Sequence, residues 1–303
     1  MKLSRRQVLH GAAAAPLAAA LPRFAVAELA LGGATLRTVS DGHLTLPAEF
    51  IFGPMPQDAL APLRAEFGLT GPQLTPECNL ALFEDGETRV LFDVGSGPDF
   101  MPSAGTITDS LAALGLSPED ITHVAFTHAH PDHIWGLLDD FGDPLFTQAQ
   151  YFMGRREWDY WWNPETVTTI GEARAAFAVG ARRRMEVIEN SVTLFDDGAE
   201  ILPGIAAMAS FGHTPGHMSF EVRQGSDAAL VIGDAIGNHH VAFRQPDWES
   251  GSDQDGATAA ATRTALLDRL ATEQMPFVGF HLPNGGIGRA ARDGAGYRFI
   301  PGG

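Results

Sequence analysis

Short apolar runs alternate with helical patterns along most of the chain. Runs of β-branched or apolar residues cover Thr35–Ser40, Asn79–Glu84, Arg89–Asp93, His123–Thr127, Ser191–Phe195, Ile205–Ser210, Ser219–Val222, Ala228–Ile232 and Phe277–Phe280. Several stop at glycine or proline, and their length predicts strands. Helical spacing appears over Thr106–Gly115, Ile170–Val187 and Gly256–Leu270, the last carrying Leu266, Leu267 and Leu270. Strands alternating with helices predict an α/β fold, with a site at the carboxyl ends of the strands. Three segments break the rhythm. Segment 47–76 is rich in Pro and Gly and reads as a surface excursion. Segment 151–163 holds three of the five tryptophans, and segment 244–256 is acidic and polar, which predicts a loop. No repeat of 20–50 residues is visible.

Composition narrows the function. Of 303 residues, 45% are hydrophobic and 19% charged, which fits a globular chain with a sizeable core. The formal net charge is −17. Four basic residues (Lys2, Arg5, Arg6, Arg23) and no acidic ones fall in the first 27 positions, so the remainder carries 16 basic and 37 acidic residues. That balance disfavours nucleic acid and anionic membrane surfaces as partners. Cys78 is the lone cysteine, so no intrachain disulfide and no cysteine-rich metal site can form. Residues 1–27 read as a leader. Ser4-Arg5-Arg6-Gln7-Val8-Leu9 is a twin-arginine pattern, an Ala-rich stretch runs from Gly11 to Leu21, and Ala25-Val26-Ala27 is a small-x-small cleavage signal. The reading is a mature domain over 28–303 in the periplasm, with no stable membrane anchor once the leader is removed.

The candidate chemistry lies in Thr127-His128-Ala129-His130-Pro131-Asp132-His133, four ligand-type side chains in six residues after a predicted strand. His130 precedes proline and is biased to extended backbone. Residues two apart then point the same way, so His128 and His130 can share one ion. The turn after Pro131 can aim Asp132 and His133 elsewhere, toward a second ion. Imidazoles and carboxylates without thiolate suit zinc, manganese, iron or cobalt. Three further apolar runs end in ligand types: Gly212-His213-Thr214-Pro215-Gly216-His217, Gly233-Asp234 and Phe280-His281. Taken singly each could be a cap or a core residue; together they supply enough groups for two cations. Cys78 reads as packing.

In order and spacing, His128-x-His130-x-Asp132-His133, His213, Asp234 and His281 resemble the metallo-β-lactamase superfamily over nearly all of the mature chain. The resemblance implies an αββα sandwich with a dinuclear site at one edge of the paired sheets. It implies that His128, His130 and His213 hold one divalent cation, zinc foremost, and that Asp132, His133 and His281 hold another. Asp234 would bridge them, with Asp93 and His217 supporting ligands from behind. The resemblance further implies a metal-dependent hydrolase, in which a metal-activated hydroxide oriented by Asp132 would attack an ester-like electrophile. Leu202-Pro203-Gly204-Ile205, the tail His281-Leu282-Pro283 and Gly296–Pro301 are most similar to the methyl parathion hydrolase-like and quorum-quenching lactonase group. Small acyl-homoserine-lactone hydrolases carry a tyrosine shortly after the bridging aspartate. Here Ala235-Ile236-Gly237-Asn238-His239-His240 follows instead, a departure from a strict lactonase.

The expected substrate is small, neutral or hydrophobic: a lactone, carboxylic ester or organophosphate triester. Trp158, Tyr160, Trp161 and Trp162 either wall its pocket or pack their helix against the sheet, and His239 or His240 is a candidate to face it. A homodimer is the assembly this reading allows. The alternatives are a glyoxalase-type thiolester hydrolase, which asks for a basic patch and finds only Arg289, Arg292 and Arg298; a mono-iron persulfide dioxygenase; and a non-catalytic metal-binding module.

Overall fold

A computed structural model describes residues 27–302, so the predicted leader lies outside the described residues apart from Ala27. Two mixed seven-stranded sheets face each other. The first holds Glu28–Leu31, Ala34–His43, Glu77–Asp85, Thr88–Phe92, His123–Phe126, Gln150–Gly154 and Val192–Phe195 in spatial order. Its first three pairings are antiparallel and its last three parallel. The second runs Glu200–Leu202, Ile205–Ala209, Met218–Gln224, Asp227–Val231, Phe277–Val278, Ile287–Asp293 and Gly296–Pro301, with one parallel pairing, Asp227–Val231 with Phe277–Val278.

Strand alternation explains the layering. Ala81, Phe83 and Ala125 point between the sheets, where they join Phe220, Val222 and Val231 of the second sheet. Their neighbours Leu80, Leu82, Val124 and Phe126 point outward under the helices Ile107–Ala113, Arg155–Trp162 and Ala175–Ile188. On the far side Leu230 and Phe277 pack beneath Leu266, Leu267 and Leu270 of the helix Gly256–Glu273. A period of two across two buried faces thus yields four layers, α/β/β/α. Phe92 and Phe220 meet at 5.1 Å across the middle.

Two expectations need correction. Segment 47–76 is not a loose surface excursion. It forms helices Ala48–Phe52 and Gln57–Glu66 and a short ribbon, Leu46–Pro47 with Gln73–Leu74. Ile51, Phe52, Met55 and Leu60 are buried against Val241, so its apolar residues cover the site's approach; Pro56 precedes the second helix and Pro62 lies inside it. Trp158, Trp161 and Trp162 do not wall a pocket. Trp158 and Trp161 are core residues and Trp162 packs against them. The helix Arg155–Trp162 turns that face inward, and Trp158 and Trp162 stack at 4.9 Å.

Candidate metal centre

Each candidate ligand sits just past the carboxyl end of a strand. His128 and His130 follow His123–Phe126. His130 is extended (φ −69°, ψ 160°) because Pro131 opens the short helix Pro131–Ile134, which carries Asp132 and His133. His213 follows Ile205–Ala209, Asp234 follows Asp227–Val231, and His281 follows Phe277–Val278. The two turns leave no room for a side chain. At Gly212 (φ +124°) a Cβ would lie 2.2 Å from Ala259 N, and at Gly233 (φ +50°) it would lie 2.6 Å from His217 Nε2.

These seven side chains converge as two groups, His128 with His130 and His213, and Asp132 with His133, Asp234 and His281. Within each group the ligand atoms lie within 4.8 Å of one another. His130 Nδ1 is 3.0 Å from His128 Nε2 and 2.9 Å from His213 Nε2. Asp234 joins the groups: its Oδ2 is 3.4 Å from His213 Nε2 and 3.2 Å from His281 Nε2. Asp132 Oδ2 is 3.2 Å from His281 Nε2.

The far nitrogens show which ring atoms are left to bind. His133 Nδ1 donates to Asp93 Oδ2 at 2.8 Å, and His281 Nδ1 donates to the Glu77 carbonyl at 2.8 Å. His128 Nδ1 donates to Thr127 Oγ1 at 3.0 Å, and that hydroxyl donates to Asp93 Oδ2. His213 Nδ1 donates to Asp253 Oδ1 at 3.1 Å, and His130 Nε2 lies 3.2 Å from the Gln254 amide. With those protons placed outward, the inward Nε2 atoms of His128, His133, His213 and His281 are left to face the centre, while the Gln254 amide can donate to His130 Nε2. Asp132 Oδ2, His133 Nε2 and Asp234 Oδ1 are fully buried with no hydrogen-bond partner. Buried carboxylate oxygens and an imidazole nitrogen without partners are costly unless cations satisfy them, so the donor set fits two divalent ions.

The electrostatics agree. Burial alone would depress the His133 and His281 imidazoles, yet facing carboxylates, Asp234 foremost, hold both pKa values well above the ordinary range. His128 and His130, with histidines around them, are driven well below it by burial and mutual repulsion. The acid-rich half attracts positive charge, while His128 and His130 stay neutral, the state in which an imidazole binds metal.

The supporting side chains divide clearly. Asp93, in left-handed backbone (φ +64°), orients His133. His217 stands behind the centre: Nε2 accepts from Asp234 N at 3.0 Å and Nδ1 meets Ser210 Oγ at 2.8 Å. Burial pushes its pKa down to about 3. The Cys78 thiol is buried and pushed up to about 12 by desolvation, so it is inert. Asp253, Gln254 and Glu157 were not singled out by the sequence. Asp253 is pinned by Arg263, 3.3 Å away. Buried Glu157 accepts from Ala129 N, Trp161 Nε1, Thr214 Oγ1 and Gly216 N, tying the two histidine loops together.

A cavity of about 260 Å³ opens onto the centre at His130, Asp132, His213, Asp234 and His281. Leu46, Phe50, Ile51, Leu74, Phe100 and Phe177 give it apolar walls, and Asn238, His239 and His240 a polar edge. No helix of the described residues is long and apolar enough to cross a membrane.

Comparison with known proteins agrees with this geometry. The model of the "Metallo-beta-lactamase superfamily" matches residues 76–274. An N-acyl homoserine lactonase, AttM, of Azorhizobium caulinodans is 28% identical over 123 residues, 40% of this chain and 43% of that protein. The AttM lactonase of Agrobacterium fabrum is 25% identical over 127 residues, 41% of this chain and 44% of its own. The matches thus span less than half the length of these curated relatives. Among solved structures, the dizinc quorum-quenching lactonase AidC superposes with TM-score 0.85 at 24% identity, covering 92% of this chain and 97% of its own. The hydrolase AbOPH gives 0.83 at 24% identity, over 91% and 97%. Both are likenesses of fold.

Proposed function

Because the chain belongs to the metallo-beta-lactamase superfamily, we propose that it is a hydrolase of small ester-like substrates, lactones and carboxylic esters first, built around two divalent cations. The observation that carries this is the Asp234 carboxylate, one oxygen of which touches both ligand groups. His128, His130 and His213 would hold one cation and Asp132, His133 and His281 the other, with Asp234 shared. Bound there, the ions supply Lewis acidity, lowering the pKa of water and polarising the attacked oxygen.

The chain's own residues do the rest. Burial would raise the Asp132 pKa, but His133 and His281 outweigh it and keep the carboxylate ionised. On the cavity floor it is placed to orient the attacking water, accept its proton on a carboxylate oxygen and pass it to the leaving oxygen. His240 lines the same cavity. Its Nδ1 accepts from Val241 N at 2.8 Å, so the ring proton sits on Nε2. Phe52 and Phe67 rings, about 6 Å away, hold the imidazole in place, and Nε2–H is a fixed donor for a substrate carbonyl. The apolar walls exclude water and favour a hydrophobic acyl or aryl group. Arg289, Arg292 and Arg298, the residues a thiolester reading would need, are not among the cavity's lining, and Arg292 is paired with Asp268.

The test is a panel of γ-lactones, aryl carboxylic esters, an aryl phosphotriester and a glutathione thiolester, assayed with and without chelator. Chelator-sensitive turnover of the lactones or esters, restored by zinc, is expected. Turnover of the thiolester alone would replace this reading, and no chelator-sensitive turnover at all would favour a binding module.

A further inference from the structure

The same cavity carries a second polar position that the hydrolase reading, on which this inference rests, does not use. Arg174 closes the turn Glu172–Arg174 before the helix Ala175–Ile188 and lines the cavity beside Phe50 and Phe177. Among the described residues the hydrogen-bond partners of its guanidinium are two carbonyls, Gly251 O at 2.7 Å and Ser252 O at 3.0 Å, both reached by Nη2. Its Nε is buried without a partner, and the guanidinium carbon lies 5.7 Å from the centre of the Phe50 ring. Asp253, whose field reaches it, is already committed to His213 and Arg263. Glu77, the acid on the cavity wall outside the metal cluster, has its oxygens taken by Asn284 N and Gly285 N.

A guanidinium half-buried among aromatic rings without a carboxylate partner is poorly compensated, and burial lowers its pKa from the ordinary value. Two carbonyls fix its position but do not neutralise it. An incoming carboxylate would supply both the missing charge and acceptors matched to the planar fork. We propose that Arg174 binds a carboxylate carried by the substrate away from the bond that is cleaved. The substrate class narrows to small esters or lactones with one acidic group, joined to the scissile group by an apolar stretch lying against Phe50 and Phe177. This revises the expectation of an uncharged substrate without inviting polyanions, which the acidic surface still repels.

Two matched esters test it on zinc-reconstituted enzyme: p-nitrophenyl valerate and mono-p-nitrophenyl glutarate. The wild type should show a KM about tenfold lower for the glutarate ester, the scale of one charge-assisted contact. R174Q keeps a donor for the Gly251 and Ser252 carbonyls but loses the charge. It should erase that preference while changing KM for valerate less than about twofold. Equal losses on both esters, or no preference in the wild type, would overturn the assignment. Calorimetry with free glutarate provides a readout independent of turnover, with binding to R174Q about tenfold weaker than to wild type. If wild type cleaves neither ester, calorimetry still decides Arg174, while the hydrolase reading stands or falls on the full lactone and ester panel; equal glutarate affinity in both proteins would sink the assignment.

Discussion

Behind each imidazole that faces the centre stands a partner for its far nitrogen, and the partners differ in charge. His133 leans on Asp93 and His213 on Asp253, while His128, His130 and His281 have neutral partners. An anionic partner raises ligand basicity and fixes the tautomer. Asp253→Asn should therefore weaken the first cation about 10- to 100-fold while sparing the second. Competition between the metal-free protein and a chromophoric chelator measures this, and equal weakening of both would contradict it. His240 makes a pH prediction. Its folded pKa is about 3, below the ordinary 6.5. Protonation thus favours the unfolded chain, and the contribution is complete above about 6.5 and lost as pH falls toward 3. In the metal-free protein His240→Gln should flatten the fall of the urea midpoint across that window; an unchanged slope would refute the buried neutral ring. At this scale the ligands were legible, and with them the supports Asp93 and His217, but Asp253, Gln254 and Glu157 were not. Four ligand-type side chains crowd into His128–His133, a density that metal binding accounts for and a solvated loop does not. Asp253 lies in a run of polar residues where any acid reads as solvated, and only its burial against Arg263 singles it out.

At the scale of elements, close approach sets what the helices tolerate. Gly180 sits inside the helix Ala175–Ile188, where alanine normally gains about 1 kcal/mol. Here a Cβ would fall 2.2 Å from the Trp135 indole. Gly180→Ala should cost roughly 1–3 kcal/mol by urea denaturation instead of stabilising. Glu157 joins elements from both sheets, since its four donors come from its own helix, the His128–His130 loop and the His213–His217 turn. Glu157→Ala strands those donors in a buried site and should cost about 3 kcal/mol or more, with weaker binding of the first cation by the same titration. The nine apolar runs read as strands all contribute to the sheets, because burial on both faces leaves long β-branched stretches. The strand Gln150–Gly154 and the hairpin Ile287–Pro301 were not legible as strands. The first hides in an aromatic segment, and the second carries arginines outward. Tryptophan pattern announced burial, but it could not say whether a core or a cavity lay opposite.

For the whole molecule, sandwich and centre are one construction. Strands from both sheets end at a common edge, so the centre depends on the sheets staying packed, and ions binding only the folded chain should stabilise it. Chelation should lower the melting temperature, with zinc restoring it. The Ser4–Leu9 pattern supports a proposal of export: expressed with its leader, the protein should appear in a periplasmic fraction shortened to about residues 28–303, and Arg5→Lys with Arg6→Lys should hold it in the cytoplasm. The most direct test of the central claim is metal content per chain, measured on wild type and Asp234→Ala purified alike and scored beside ester turnover. A shared dinuclear centre predicts two equivalents in the wild type and loss of both metal and turnover in the variant. Two equivalents and unchanged turnover in Asp234→Ala, or one iron per wild-type chain, would contradict it.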